Sequence, residues 1–120
     1  MNITEFVIEI RSKSDFLADI RADLKRIEAG TKEEEPVERV YFESIDAANR
    51  FLTPKRVELL QQLHDHGPFN THELAKLLQR DYKNVRQDVL TLEEIGLIVR
   101  KERSLTAPWG KITMELKMAA

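Results

Sequence analysis

The chain has 120 residues and a net charge of -2, which suits one domain with a small appendage; 42% hydrophobic residues suffice for a core, and 33% charged residues give wide solvated faces. It has no cysteine, which excludes disulfides, thiolate metal sites and thiol nucleophiles. No apolar run approaches the roughly 18–20 residues of a membrane helix, and "MNITEFVIEIRSKSD" lacks the basic and apolar regions of a signal peptide, so a cytoplasmic protein with no membrane partner is expected.

The net charge conceals an asymmetry. Residues 1–52 hold 8 Lys/Arg against 12 Asp/Glu, and residues 53–120 hold 11 against 9. The second half is the one that could face phosphate. "ITEFVIEI" (3–10) is β-branched and alternating, and predicts a strand. "RSKSDFLADIRADLKRIEAG" predicts a helix capped by Ser12 or Ser14 and ended by Gly30. Leu17, Ile20, Leu24 and Ile27 fall on one narrow face. They are the candidate dimer or partner surface, or else they pack on the neighbouring strands. "TKEEEPVE" reads as a polar linker in which Glu33 to Glu35 are solvated. "VERVYFES" predicts a second strand. Strand, helix and strand in that order can form a parallel crossover, or a separate dimer sheet.

Helices crowd the chain from Ser44. "SIDAANRFL" is a short one. "TPKRVELLQQLHDHGP" places Thr53 at the cap and Pro54 at the first helical position, with Val57, Leu60 and Leu63 inward. In "NTHELAKLLQ", Asn70 and Glu73 have the spacing of a capping box. "DYKNVRQDVLTLEEIG" starts at Asp81 as cap and ends at Gly96, with Val85, Val89 and Leu92 on the buried face. "LIVRKE" and "KITMELKM" predict two strands around a turn-like "RSLTAPWG".

Three helices followed by a β-hairpin is the winged helix-turn-helix plan. The fold class expected is α+β, mainly helical: a winged helix-turn-helix over 44–120, with a strand-helix-strand extension over 1–43 for dimerisation or partner binding. "NTHELAKLLQRDYKNVRQDVLTLEEIGLIVR" resembles MarR-like and ArsR-like bacterial regulators. With "VYFES" and "FLTPKRVELLQQL", it is similar to a family of small bacterial and archaeal transcriptional regulators, over roughly residues 40–117. Members of that family are often encoded beside a TumE-type toxin and taken as its antitoxin. The resemblance implies an operator-binding repressor acting on its own operon, with a toxin as a further protein partner. Where many relatives have Gly after the second helix of the motif, this chain has Gln79.

The major-groove candidates are Lys83, Asn84, Arg86, Gln87 and Leu90, on the face opposite Val85, Val89 and Leu92. Arg suits guanine, Asn and Gln suit adenine, and a Leu can touch a thymine methyl. Phosphate candidates are Asn70, Thr71 and His72 at a helix start, with Arg80 and Tyr82. The wing offers Arg100, Lys101, Arg103 and Lys111; Arg103 and Lys111 flank the turn and are preferred. The same residue types also make ordinary solvated faces. The DNA reading needs a homodimer, because two recognition helices must meet grooves roughly 34 Å apart. The rival reading is a winged-helix module whose helix face binds a protein. Trp109 either packs, over the hairpin or against the third helix of the motif, or enters a dimer or partner interface. His64 and His66, with Asp65 between them and His72 nearby, are of the types that bind zinc or nickel. But His64 and His66 end a helix, where His is favourable by charge, and the set lacks a metal-ligand spacing, so neither metal nor other cofactor is expected. No nucleophile with a recognisable base appears, and an enzyme is not expected.

Overall fold

A computed structural model describes residues 4–12, 17–18, 20–22, 24–25 and 38–118. The expectations for Ser14, Ile27, Gly30 and the linker around Pro36 lie outside these residues. The chain is a mixed α/β protein of two compact units. One is Leu52–Gly110; the other is Thr4–Phe51 with the segment that begins at Lys111. The division differs from the expected 43/44 boundary. It cuts after the short helix, and it returns the last strand to the N-terminal unit.

The sheet unit contains β1 (Glu5–Ile10), β2 (Glu38–Phe42), α1 (Ile45–Phe51) and β5 (Lys111–Leu116). Its sheet has the order β2-β1-β5, with both neighbours parallel to β1. The described residues between 17 and 25 are helical and β1 pairs β2 in parallel, in keeping with the crossover alternative and not with a separate dimer sheet. β1 reads as a central strand should, with Phe6, Val7, Ile8 and Ile10 all buried. Ser44 Oγ accepts from the Ala47 N–H at 3.1 Å and starts α1. Phe42 and Phe51 pack with ring centroids 5.5 Å apart. Leu17, Ile20 and Leu24 are exposed, which corrects the reading in which that stripe packs on the strands.

The helical unit contains α2 (Pro54–His66), α3 (Thr71–Leu78), α4 (Tyr82–Glu94), β3 (Val99–Lys101) and β4 (Ser104–Thr106). Thr53 Oγ1 accepts from the Arg56 N–H and caps α2. The capping box of α3 is complete: Asn70 Oδ1 accepts from Glu73 N–H at 2.8 Å, and Glu73 Oε1 accepts from Asn70 N–H at 2.9 Å. Asp81 precedes α4 but makes no side-chain cap bond, against expectation. Leu59, Leu63, Leu74, Val85, Val89, Leu92, Leu97, Ile98 and Leu105 fill the core. Val57 is 37% exposed, so the inward stripe of α2 runs through Leu59 instead.

The hairpin differs from its prediction. Its second strand is Ser104–Thr106, inside the stretch expected to be a turn. The segment 111–118, expected as that strand, supplies β5 of the sheet unit. β4 is held by more than β3, since Leu105 and Phe69 exchange backbone hydrogen bonds of 2.8 and 3.2 Å. A buried Leu105 and two such bonds fix a strand too short to announce itself.

Candidate nucleic-acid interface

The geometry begins at Gln79. It ends α3 in the left-handed region, φ 54 and ψ 45, with its N–H bonded to the carbonyls of Ala75 and Lys76. A glycine would take this conformation without steric cost. Three residues later, at Tyr82, α4 begins. Its inner line, Val85, Val89 and Leu92, is fully buried, so the helix cannot roll without opening the core. That fixes the other face outward: Lys83, Asn84, Arg86, Gln87 and Leu90 are all exposed.

Asp88 was not foreseen and anchors this helix. Its Oδ1 accepts from Arg56 Nε of α2 at 3.0 Å, and its Oδ2 accepts from Arg80 Nη2 at 2.8 Å. All three side chains are mostly buried. Arg80 is therefore a structural link between the turn and α4 and not a free phosphate ligand, which corrects its assignment. Nothing local in "RDYKNVRQD" marks Asp88 as the hub, because Arg56 lies a helix away.

His72, near the start of α3, stacks on Tyr82 at the start of α4, with centroids 4.0 Å apart and planes 8° from parallel. The pair draws two helix N-termini together, where backbone N–H groups are unsatisfied. Asn70 and Thr71 stand beside them, Asn70 with its side-chain oxygen committed to the cap. Glu73 adds a negative charge in the same turn, which works against an anion there.

The hairpin carries Lys101 and Arg103 at its two-residue turn, where Glu102 adopts φ 59. Arg100 is engaged, its guanidinium donating to both carboxylate oxygens of Glu93 on α4 at 3.0 Å. The hydrogen bonds to Glu93 hold its pKa above the usual arginine value. The bidentate pair ties β3 to α4. Lys111, expected in the wing, stands on β5, 3.5 Å from Glu5; this corrects its assignment. Among the described residues Lys83, Arg86, Lys101 and Arg103 have no ion-pair partner.

Trp109 Nε1 donates to the carbonyls of Gly96 and Leu97 at 3.2 and 3.1 Å, closing the chain over the end of α4. His64 Nδ1 lies 2.7 Å from Ala107 O, so its ring is used within the unit. Among the described residues no group of three or more His, Cys, Asp or Glu could hold a metal. No described helix is long and apolar enough to cross a membrane.

Sheet, helices and hairpin define a small mixed α/β protein with one cation-bearing helix face turned to solvent. Over residues 51–114, more than half its length, the chain matches the model of the HVO_A0114 family, and it belongs to that family. No curated protein and no solved structure matches it.

Proposed function

We propose that the helical unit is a winged helix-turn-helix and that the protein is a sequence-specific regulator binding double-stranded DNA. α4 enters the major groove, and the β3–β4 hairpin is the wing. One observation carries this reading: α4 buries Val85, Val89 and Leu92 completely while presenting Lys83, Asn84, Arg86 and Gln87 together on the opposite face. These side chains match the donor and acceptor patterns of guanine and adenine edges. Lys101 and Arg103 at the hairpin turn supply phosphate contacts. Between Lys76 and Lys111 there are 8 Lys/Arg and 5 Asp/Glu, so the local field is basic although the chain is acidic.

Repression then works by occlusion of a promoter, in the simplest case that of its own operon. The antitoxin role rests on the resemblance of "ELAKLLQRDYKNVRQDVLTLEEIGLI" to toxin-linked regulators. It is tested separately, by co-purification with the product of any adjacent small gene.

The DNA-binding test is fluorescence anisotropy against DNA from upstream of the gene, beside a scrambled duplex and at several salt concentrations. Tight binding to the upstream duplex, falling steeply with salt, is expected. Arg86→Ala and Gln87→Ala should each cost about 1–3 kcal/mol of that preference, or about 5- to 150-fold. Intact folding with no preference for any duplex at low salt would refute the reading and favour a protein-binding helix face.

A further inference from the structure

β5 breaks the rule that a strand hides its apolar residues. Ile112, Met114 and Leu116 are 39%, 43% and 51% exposed, while Thr113 and Glu115 between them are half-buried. A parallel sheet is normally covered on both faces. β5 is also an edge strand. The Lys117 N–H donates to Ile10 O at 2.9 Å, toward β1. By strand alternation, Ile112, Met114 and Leu116 turn their N–H and C=O groups to the open edge. Among the described residues the same three thus offer an apolar strip and unpaired backbone, the combination that other sheets suppress.

We propose that β5 pairs antiparallel with β5 of a second copy of this chain, about a two-fold axis through Thr113. A second copy is favoured by its charges. A two-fold axis perpendicular to the sheet keeps each face on its own side, so only registers centred on a residue are allowed. Centred on Thr113, Lys111 of one copy faces Glu115 of the other, twice, and Ile112 faces Met114. Centred on Met114, Lys111 faces Lys117 across the axis, and opposed like charges are unfavourable. In the Thr113 register Ile112 and Met114 exchange backbone hydrogen bonds across the edge. The two three-stranded sheets become one of six strands, and the apolar strips merge. The pairing deepens the DNA-binding reading, whose operator contact needs two copies, but its own support lies wholly in β5.

The absence of cysteine makes the register testable. Thr113 of the two copies would form a non-hydrogen-bonded pair, Cα atoms about 4.5 Å apart, within disulfide reach. In the full-length protein, Thr113→Cys should cross-link to a covalent dimer under mild oxidation, and Met114→Cys should remain largely uncross-linked. Without oxidant, the unsubstituted chain should sediment as a dimer. Met114→Pro removes an outward N–H where an edge strand tolerates proline; it should sediment as a monomer with unchanged circular dichroism. Met114→Lys serves the same purpose should the proline variant lose its fold. A monomeric unsubstituted chain, dimeric Pro and Lys variants, or cross-linking through position 114 in place of 113 each overturns the proposal. Specific DNA binding by a monomer defeats the pairing and the need for two copies, and leaves DNA recognition by α4 standing. A Thr113→Cys dimer that binds no DNA does the reverse.

Discussion

The helical unit and the sheet unit treat polarity in opposite ways. In Leu52–Gly110 the inner line of α4 is buried and the cations of its outer face and of the hairpin turn, Lys83, Arg86, Lys101 and Arg103, face solvent. In the sheet unit a carboxylate, Glu9, is 1% exposed beside the buried Arg11, while Ile112, Met114 and Leu116 lie open. Arg39 reaches Glu9 at 3.6 Å and Glu115 at 3.8 Å, and the Arg11 guanidinium sits 4.9 Å from the Tyr41 ring centroid. A buried charged network is costly to assemble and costlier to break, so it specifies an arrangement more than it stabilises one. The helical unit is thus governed by burial, and the sheet unit by charge pairing and an unfilled edge.

That contrast is broken most sharply at Glu9. Glu9→Ala leaves Arg11 buried without its carboxylate, and should cost about 3–5 kcal/mol in urea unfolding followed by circular dichroism. The double change Glu9→Met with Arg11→Leu should recover most of the loss, since both charges leave together. In the helical unit, Leu92→Ala creates a cavity and should cost about 2–5 kcal/mol. Trp109, the only tryptophan, reports on this unit. Its emission should shift at lower urea in the Leu92 variant, and a transition left in place would contradict the core assigned here.

Asp88→Asn tests a mostly buried place where the helical unit also depends on charge. Arg56 and Arg80 lose a shared partner in a mostly buried setting, and about 1–3 kcal/mol should follow. Gln79→Gly relieves a left-handed residue and should raise stability by about 0.5–1 kcal/mol, net of the glycine's unfolded-state entropy. A destabilised Gln79→Gly protein would mean that the side chain does more than occupy a turn. The smallest expected effect belongs to the hairpin. Arg103→Ala should leave stability unchanged and reduce the salt slope of DNA binding by about one phosphate contact.

What the sequence revealed follows the range of the interaction. The caps at Thr53 and Asn70, the special position of Gln79 and the inward line of α4 are set by residues within a few positions, and each was readable. The exposed set on α4 followed from that line. Asp88 was hidden because its two partners, Arg56 and Arg80, come from separate places in the chain, one of them a helix away. β5 was recognised as a strand by the alternation in "KITMEL", but alternation does not name a partner, and its true neighbour is β1. β4 was lost because three residues beside Pro108 and Gly110 read as turn. Only Leu105, buried against the core, betrays it afterwards.

The threading of the chain imposes an order on its making. β1 is the centre of the sheet, yet its neighbour β5 joins it in a register that runs from Glu5 opposite Lys111 to Ile10 opposite Leu116. On the ribosome, β1 emerges early and waits for β5 until all of Leu52–Gly110 has been synthesised. The helical unit closes over shorter stretches of chain, such as Arg56 to Asp88 and His64 to Ala107; the sheet must close across nearly the whole chain. During synthesis, β1 is therefore a hydrophobic strand with an open side, and the interval before β5 arrives is when a nascent chain is most exposed to pairing with the wrong neighbour.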